Sequence, residues 1–562
     1  MLVGAVSEMA TLGAVVPFLA LLAEPSMVNN YPLLQKVFGW LGARQDNMLL
    51  AAAILFAVIA VGAGLVRMLL MWVSLRISFG LGADIGGEVY RRTLHQPYSW
   101  HVSRNSSEIL AGIDKVNAVI GSIINPLAQG TVAFVLSLGI LAMLLAIDPQ
   151  TALIAGVGFS LLYCITTFGL RRQLVRNSQI ISENVTHRVQ AVQEGLGGIR
   201  DVLLDGTQLI YHRRFAGYDY AMRRGQAANQ FIGTSPRYFI EAAGMVLIVV
   251  LAYWLASRQG GLTGAIPVLG ALAIGAQKLL PQMQLVYASW SSISGNRKQL
   301  ADVLDLLDRP IPIEYLQPPH KNNANANEVK KPDNAPIIAL RNVSFSYKLE
   351  APDVLRNTNL EIAQGARIGI IGRTGSGKST LIDLIMGLLA PTTGHIEIDG
   401  QHLTTHNRRA WQRRIAHVPQ AIYLSDASIA ENIAFGIPNE YIDHSRLVSA
   451  ASKAQLTDFI QTLPQQYQTP VGERGVRLSG GQRQRIGLAR ALYKQADVLV
   501  LDEATSALDN VTEKSVIACI NTLGNEITVL MIAHRITTLN DCNLIIEIIG
   551  PGQINFISHE LL

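Results

Sequence analysis

Gly372-Arg-Thr-Gly-Ser-Gly-Lys378-Ser379-Thr380 lies between an apolar run, Ile368-Gly-Ile-Ile371, and a helical start, Leu381-Ile-Asp-Leu-Ile385. Strand, glycine-rich loop and helix in that order form a phosphate-cradling unit. Glycines let backbone N–H groups come close to phosphate oxygens, and the helix N-terminus adds a favourable dipole. This spacing assigns Gly372, Thr374, Gly375, Ser376, Gly377, Lys378, Ser379 and Thr380 to a nucleotide. Lys378 is expected to reach the β- and γ-phosphates, and the Ser379 hydroxyl to ligate Mg²⁺.

About 120 residues further on, Val498-Leu-Val-Leu-Asp502 reads as a buried strand ending in a carboxylate. A hard cation such as Mg²⁺ needs oxygen ligands at such a strand end. Glu503 follows directly, placed to polarise an attacking water. On its own, an apolar strand followed by Asp-Glu is more often structural. In the same domain as a phosphate loop it reads as hydrolytic.

Working outward, the chain divides. It has 562 residues, of which 49% are hydrophobic and only 15% charged, and its mean hydropathy is +0.27. Globular domains carry about 25% charged residues, so part of this chain is expected to be lipid-soluble. Six apolar stretches, near 1–23, 49–75, 119–146, 150–170, 238–257 and 264–290, have the length a bilayer requires. The abrupt apolar start at Met1 leaves room for a missing upstream segment. The polar, Asn- and Pro-rich stretch within 311–336 reads as a linker, giving a membrane domain over 1–310 and a soluble α/β domain over 337–562.

Positive charge concentrates in two segments. Residues 76–118 carry Arg76, Arg91, Arg92, Arg104 and Lys115, and residues 171–237 carry ten arginines between Arg171 and Arg237. Basic loops stay on the cytoplasmic side, which places both, together with the soluble domain, in the cytoplasm. Val185, Val189, Val192 and Leu196 recur at helical spacing, so the spans are expected to continue out of the bilayer as helices. Breaks at Gln96-Pro97 and Gly195-Leu-Gly-Gly198 mark two short crossing helices. The net charge of +5 comes without a basic, aromatic-rich patch, so no nucleic-acid partner is indicated. Cys164, Cys519 and Cys542 have neither metal-ligand nor disulfide spacing.

Leu478-Ser-Gly-Gly-Gln482 resembles the signature segment of ATP-binding cassette (ABC) proteins, and the family's other segments follow in order. Tyr347 precedes the phosphate loop, Gln420 follows Val418-Pro419, Val471-Gly-Glu-Arg-Gly475 precedes the signature, Ser506-Ala-Leu-Asp509 follows Glu503, and His534 ends a strand. The resemblance implies that Tyr347 stacks on adenine. It implies that Gln420 contacts Mg²⁺ and that His534 holds the γ-phosphate. Ser479, Gly480, Gly481 and Gln482, with Asp509, would serve nucleotide bound between two subunits. Six spans before one cassette resemble an exporter-type half-transporter, so a second copy of the chain is the simplest partner.

Charged groups inside spans are costly and usually functional. Glu8, Arg67, Arg237, Glu241 and Lys278 fall in or beside the apolar runs. The three cations suggest a cavity for an anionic head group. Asn105-Ser-Ser-Glu-Ile-Leu110, Ser235-Pro-Arg237-Tyr-Phe-Ile-Glu241 and Lys278-Leu-Leu-Pro281 resemble bacterial lipid-linked oligosaccharide flippases. That resemblance implies that Arg67, Arg237 and Lys278 accept a pyrophosphate. Lys278 stands where the resemblance expects Arg, keeping the charge but not the bidentate fork. The expected activity is ATP-driven flipping of a lipid-linked oligosaccharide or other anionic glycolipid across the cytoplasmic (inner) membrane. The alternative is export of another lipid, a peptide or an amphipathic drug by the same engine. A chromosome-maintenance ATPase is disfavoured by the six spans, and a gated channel by the intact Glu503.

Overall fold

The computed structural model describes residues 11, 14, 48–147, 149–256, 261–312, 336–348, 351–504, 510–524, 526–533, 539–550 and 553–557. The expected first span, apart from Thr11 and Ala14, lies outside the described residues, as do nearly all of the linker, Asp509 and His534. The chain forms two compact units: residues 1–96 with 101–311, and residues 97–100 with 312–562.

The first unit is helical. Its described helices are α1 (Met48–Leu94), α2 (Tyr98–Val102, of which residues 98–100 fall in the second unit), α3 (Ser106–Val119), α4 (Asn125–Ile147), α5 (Pro149–Gly197), α6 (Ile199–Leu204), α7 (Gln208–Thr234), α8 (Pro236–Ala256), α9 (Gly261–Gly295) and α10 (Arg297–Leu307). The span expected at 119–146 is not one uniform α-helix. A π-turn, Ile120–Ile124, joins α3 to α4. Among the described residues, Leu50–Leu94 and Ser106–Leu145 are long and apolar enough to cross a membrane by length and composition. Val58, Val61, Leu65 and Leu69 of α1 are each more than half exposed. Such an apolar surface suits lipid, where the helix satisfies its own backbone. At 1.5 Å per residue the 49 residues of α5 reach about 74 Å, well over twice a hydrocarbon core of ~30 Å. The helix therefore continues past any bilayer, and the breaks read at Pro97 and Gly195–Gly198 give the short helices α2 and α6.

The long helices are tied by small residues and by one half-buried carboxylate. A Cβ on Gly130 of α4 would come within 2.7 Å of the Ser289 Cβ of α9, so only a glycine permits that approach. The Asp302 carboxylate of α10 accepts from Lys115 Nζ of α3 at 2.6 Å, Ser182 Oγ of α5 at 2.5 Å and Lys298 Nζ at 2.9 Å. Burial pushes this carboxyl up, but the three donors outweigh it and hold it below its ordinary range. At the π-turn, Ser292 Oγ of α9 donates to the Ser122 carbonyl at 2.7 Å. A π-turn breaks the regular helical hydrogen-bond ladder, and this side chain supplies a partner there.

The second unit contains two sheets. An antiparallel sheet has the order β2-β1-β4-β5, from β1 (Ile338–Phe345), β2 (Leu355–Ile362), β4 (Thr393–Ile398) and β5 (Gln401–His402). A larger sheet has the order β10-β9-β3-β8-β7-β6, from β3 (Arg367–Gly372), β6 (Ile415–Val418), β7 (Val498–Asp502), β8 (Thr528–Ile532), β9 (Leu544–Gly550) and β10 (Gln553–Ile557). β6, β7, β8, β3 and β9 pair in parallel, and β10 closes the edge antiparallel. Val498–Leu501 and all of β8 are buried, because a parallel sheet is covered on both faces. Helix α11 (Lys378–Ile385) follows β3, and α12 (Gly480–Lys494) precedes β7.

Candidate ATP site

The carboxyl ends of parallel strands are where open α/β sheets bind ligands. Three of the sequence-derived segments sit there. β3 ends at Gly372, β7 at Asp502 and β6 two residues before Gln420. Residues scattered over about 130 positions are thereby gathered along one edge.

The phosphate loop is shaped by backbone that only glycine tolerates. Gly372 has φ +147°, and a Cβ there would lie 2.3 Å from the Ile548 carbonyl oxygen. Gly377, at φ +103°, caps the N-terminus of α11. Lys378 is 8% exposed, and its Nζ donates to the carbonyls of Gly372 at 2.8 Å and Arg373 at 3.1 Å. The ammonium thus holds the loop that it is expected to share with phosphate. The Ser376 Oγ is buried inside the same loop and, among the described residues, has no hydrogen-bond partner. A buried hydroxyl without a partner costs about 1–3 kcal/mol, which a phosphate oxygen would relieve. Tyr347 is more than half exposed, and its hydroxyl lies 3.1 Å from the Thr380 Oγ1 at the start of α11. Phe345 packs edge-on against it with centroids 5.0 Å apart.

Two of the residues expected to serve hydrolysis are in direct contact. Gln420 Nε2 donates to Glu503 Oε2 at 2.7 Å. Glu503 has φ +51°, a left-handed backbone that is uncommon for a residue with a side chain. Its own N–H donates to the Ile532 carbonyl at 3.1 Å, which anchors it to the end of β8. Strain held at the end of a strand is a mark of functional sites.

Asp383, on α11, was not among the site residues read from the sequence. Burial and the neighbouring Asp502 carboxylate push its carboxyl up to about 6. Its signal in the sequence is a carboxylate between Ile382 and Leu384, four residues after Ser379. Hydroxyl, amide and carboxylate oxygens at Ser379, Gln420 and Asp502 form a hard donor set, beside a second carboxylate that repels the first. That chemistry suits Mg²⁺.

Ser479 caps α12 through a capping box. Gln482 N donates to Ser479 Oγ at 3.2 Å, and Ser479 N donates to Gln482 Oε1 at 2.8 Å. Among the described residues, the signature bonds within itself rather than to the phosphate loop of its own chain. In the membrane unit, Arg67, Arg237 and Lys278 fall on α1, α8 and α9. Arg67 is exposed and Lys278 half-buried. Arg237 Nε pairs with Glu241 Oε1 at 2.7 Å, one helical turn away.

Residues 355–506 match the ABC transporter family, and residues 16–259 match the ABC transporter transmembrane region. The chain is 30% identical over 549 residues to an ATP-dependent lipid A-core flippase of Cupriavidus metallidurans, covering 94% of this chain and 86% of that protein. It is also 30% identical to the leukotoxin export ATP-binding protein LtxB of Aggregatibacter actinomycetemcomitans, covering 90% and 69% of the two chains. A bacterial Atm1-family ABC exporter solved with ATP bound shares the fold with a TM-score of 0.78 at 22% identity, over 100% of this chain and 95% of that one. The chain therefore belongs to the ABC transporter family and is a multi-pass, ATP-hydrolysing exporter, its transmembrane helical domain followed by one ATPase domain.

Proposed function

We propose that two copies of this chain form a flippase that moves an anionic glycolipid out of the cytoplasmic leaflet of the inner membrane, with both ATPase domains in the cytoplasm. The observation that carries the engine is the meeting of Gln420 and Glu503 at 2.7 Å on the sheet edge that also holds the phosphate loop. Lys378 and the loop N–H groups hold the phosphates, and Tyr347 offers its ring to adenine. Ser379, Gln420 and Asp502 would ligate Mg²⁺, which neutralises phosphate charge. Glu503 orients and polarises the attacking water, and His534 holds the γ-phosphate. Ser479, Gly480, Gly481 and Gln482 of each copy, with Asp509, act on nucleotide bound to the other.

The cargo rests on two supports. Arg67, Arg237 and Lys278 put positive charge on three helices, and a lipid A-core flippase is similar over nearly the whole chain. An apolar cavity of about 360 Å³ lies next to one of these helices, lined by Phe134, Leu138, Leu279, Met283, Tyr287 and Trp290. Leu279 of this lining lies on α9, the helix that also carries Lys278. An anionic head group has to compete with Glu241 for Arg237. Toxin export is the second reading, favoured by the similarity to the leukotoxin exporter.

The test is ATPase stimulation and flipping in proteoliposomes across lipid-linked oligosaccharides, lipid A-type glycolipids, neutral lipids and peptides. Anionic glycolipids should stimulate, and Arg67→Ala with Lys278→Ala should abolish that stimulation while basal hydrolysis persists. Stimulation by peptide alone would replace the glycolipid reading.

A further inference from the structure

The antiparallel sheet of the ATPase unit carries a feature that nucleotide binding does not use. Strands β4 and β5 are joined by Asp399-Gly400, whose φ values are +49° and +78°. Positive φ at both turn positions is the two-residue hairpin that Asp-Gly favours. Such a turn fixes register, and Glu397 pairs directly with His402. His395 lies two residues before Glu397 and so on the same face of the sheet. Three potential ligands therefore leave one face of one hairpin.

Their atoms converge. His395 Nε2 lies 3.1 Å and His402 Nε2 3.6 Å from the same carboxylate oxygen, Glu397 Oε1. The two imidazoles stack with centroids 3.9 Å apart and planes 19° from parallel. All three ligand atoms fall within 4.8 Å of one another. Two donors bound to one zinc ion at 2.0–2.1 Å and a tetrahedral angle lie about 3.3 Å apart, between the two observed separations. The second carboxylate oxygen is turned away. Arg341 Nε, on β1, sits 3.5 Å from Glu397 Oε2, and Arg341 pairs in turn with Glu361. Such a partner orients a ligating carboxylate and leaves the other oxygen for the ion. Glu397 is mostly covered, while His402 is 61% exposed, which provides a path of entry.

We propose that His395, Glu397 and His402 form a binding site for a divalent transition-metal ion of the zinc class. Two imidazoles and one carboxylate suit Zn²⁺ and its neighbours rather than Mg²⁺ or Ca²⁺, which prefer oxygen alone. The fourth position faces solvent. The ion clamps β5 to β4 in the sheet whose strand β1 leads into Tyr347. It is separate from the Mg²⁺ read at Ser379 and Asp502.

The test uses the full chain in detergent or nanodiscs, purified without a histidine tag and stripped of metal. Zn²⁺ is titrated against a chromophoric chelator, and Co²⁺ is followed by its visible spectrum. One site per chain is expected, weakened at least tenfold by His402→Gln and by His395→Ala, with loss of the cobalt band for nitrogen ligation. Glu397→Gln should weaken binding while leaving the fold and ATP binding intact. Equal affinity and equal spectra in the wild type and in the His395→Ala/His402→Gln double variant would overturn the proposal and leave a stacked histidine pair sharing one hydrogen-bonded carboxylate. Intact ATP binding in the variants separates loss of the site from failure to fold.

Discussion

At the scale of single residues, the site depends on backbone that few side chains allow. Gly372→Ala places a methyl group 2.3 Å from the Ile548 carbonyl oxygen, and neither β3 nor β9 can yield in the middle of a sheet. Loss of ATP binding by at least a hundredfold is expected, together with a lower unfolding temperature, read by nucleotide fluorescence and thermal melts. Glu503→Gln makes a different change. The amide keeps the size of the side chain and its place at the end of β7, but it cannot polarise water as a carboxylate does. Hydrolysis should fall at least a hundredfold while ATP stays bound. Near-normal turnover in this variant would remove Glu503 from its role. Both residues were legible in the sequence because a phosphate loop and an apolar strand ending in Asp-Glu carry their chemistry in short, contiguous spans. Asp383 was not, because its perturbation arises first from burial that only the packed sheet creates and then from Asp502, more than a hundred residues away.

At the scale of elements, the long helices are held by polar contacts that hydropathy does not reveal. Asp302 joins α10 to α3 and α5 through Lys115 and Ser182, and the Lys115 side chain is only 7% exposed. Asp302→Ala leaves that ammonium without its carboxylate. Breaking a buried pair from one side costs about 3–5 kcal/mol, and partial exposure of Asp302 places this case at or below the lower end. The pH dependence has a definite sign. The folded carboxyl is held below its ordinary value of 3.8, so its stabilisation is complete above about pH 4. It is lost as pH falls below that value, and the deficit of the variant should shrink over the same window. Melting curves of the detergent-solubilised chain at pH 7 and below pH 4 measure this; a deficit independent of pH would rule the carboxylate out as the cause. The same contrast explains which parts of the fold could be read in advance. Apolar runs near 49–75 and 119–146 located membrane helices, because burial in lipid is written as composition. The polar half of α5, the π-turn at Ile120–Ile124 and the Asp302 cluster depend on contacts between residues far apart in sequence. The expected run at 119–146 crosses that π-turn without any compositional mark.

At the scale of the whole molecule, the signature segment decides whether the chain works alone. Ser479 and Gln482 satisfy one another in a capping box on α12. The proposed dimer lets each signature serve the phosphate loop of the other copy, and this can be tested by where two defects are placed. Lys378→Ala disables a phosphate loop, and Ser479→Arg blocks a signature. In a dimer of one Lys378→Ala chain and one Ser479→Arg chain, both defects fall in the same composite site, and the second site stays intact. In a dimer of one wild-type chain and one chain carrying both changes, each composite site has one defect. Serving in trans therefore predicts that the first dimer retains nucleotide-dependent closure at one site and the second retains none. Serving in cis predicts the reverse. Co-expressed chains with two different affinity tags give each dimer in pure form. Trapping of labelled ATP at low temperature, scored per dimer, reads the number of intact sites. One trapped nucleotide in the first dimer and none in the second supports the proposed assembly; the opposite pattern would make each chain a self-sufficient ATPase.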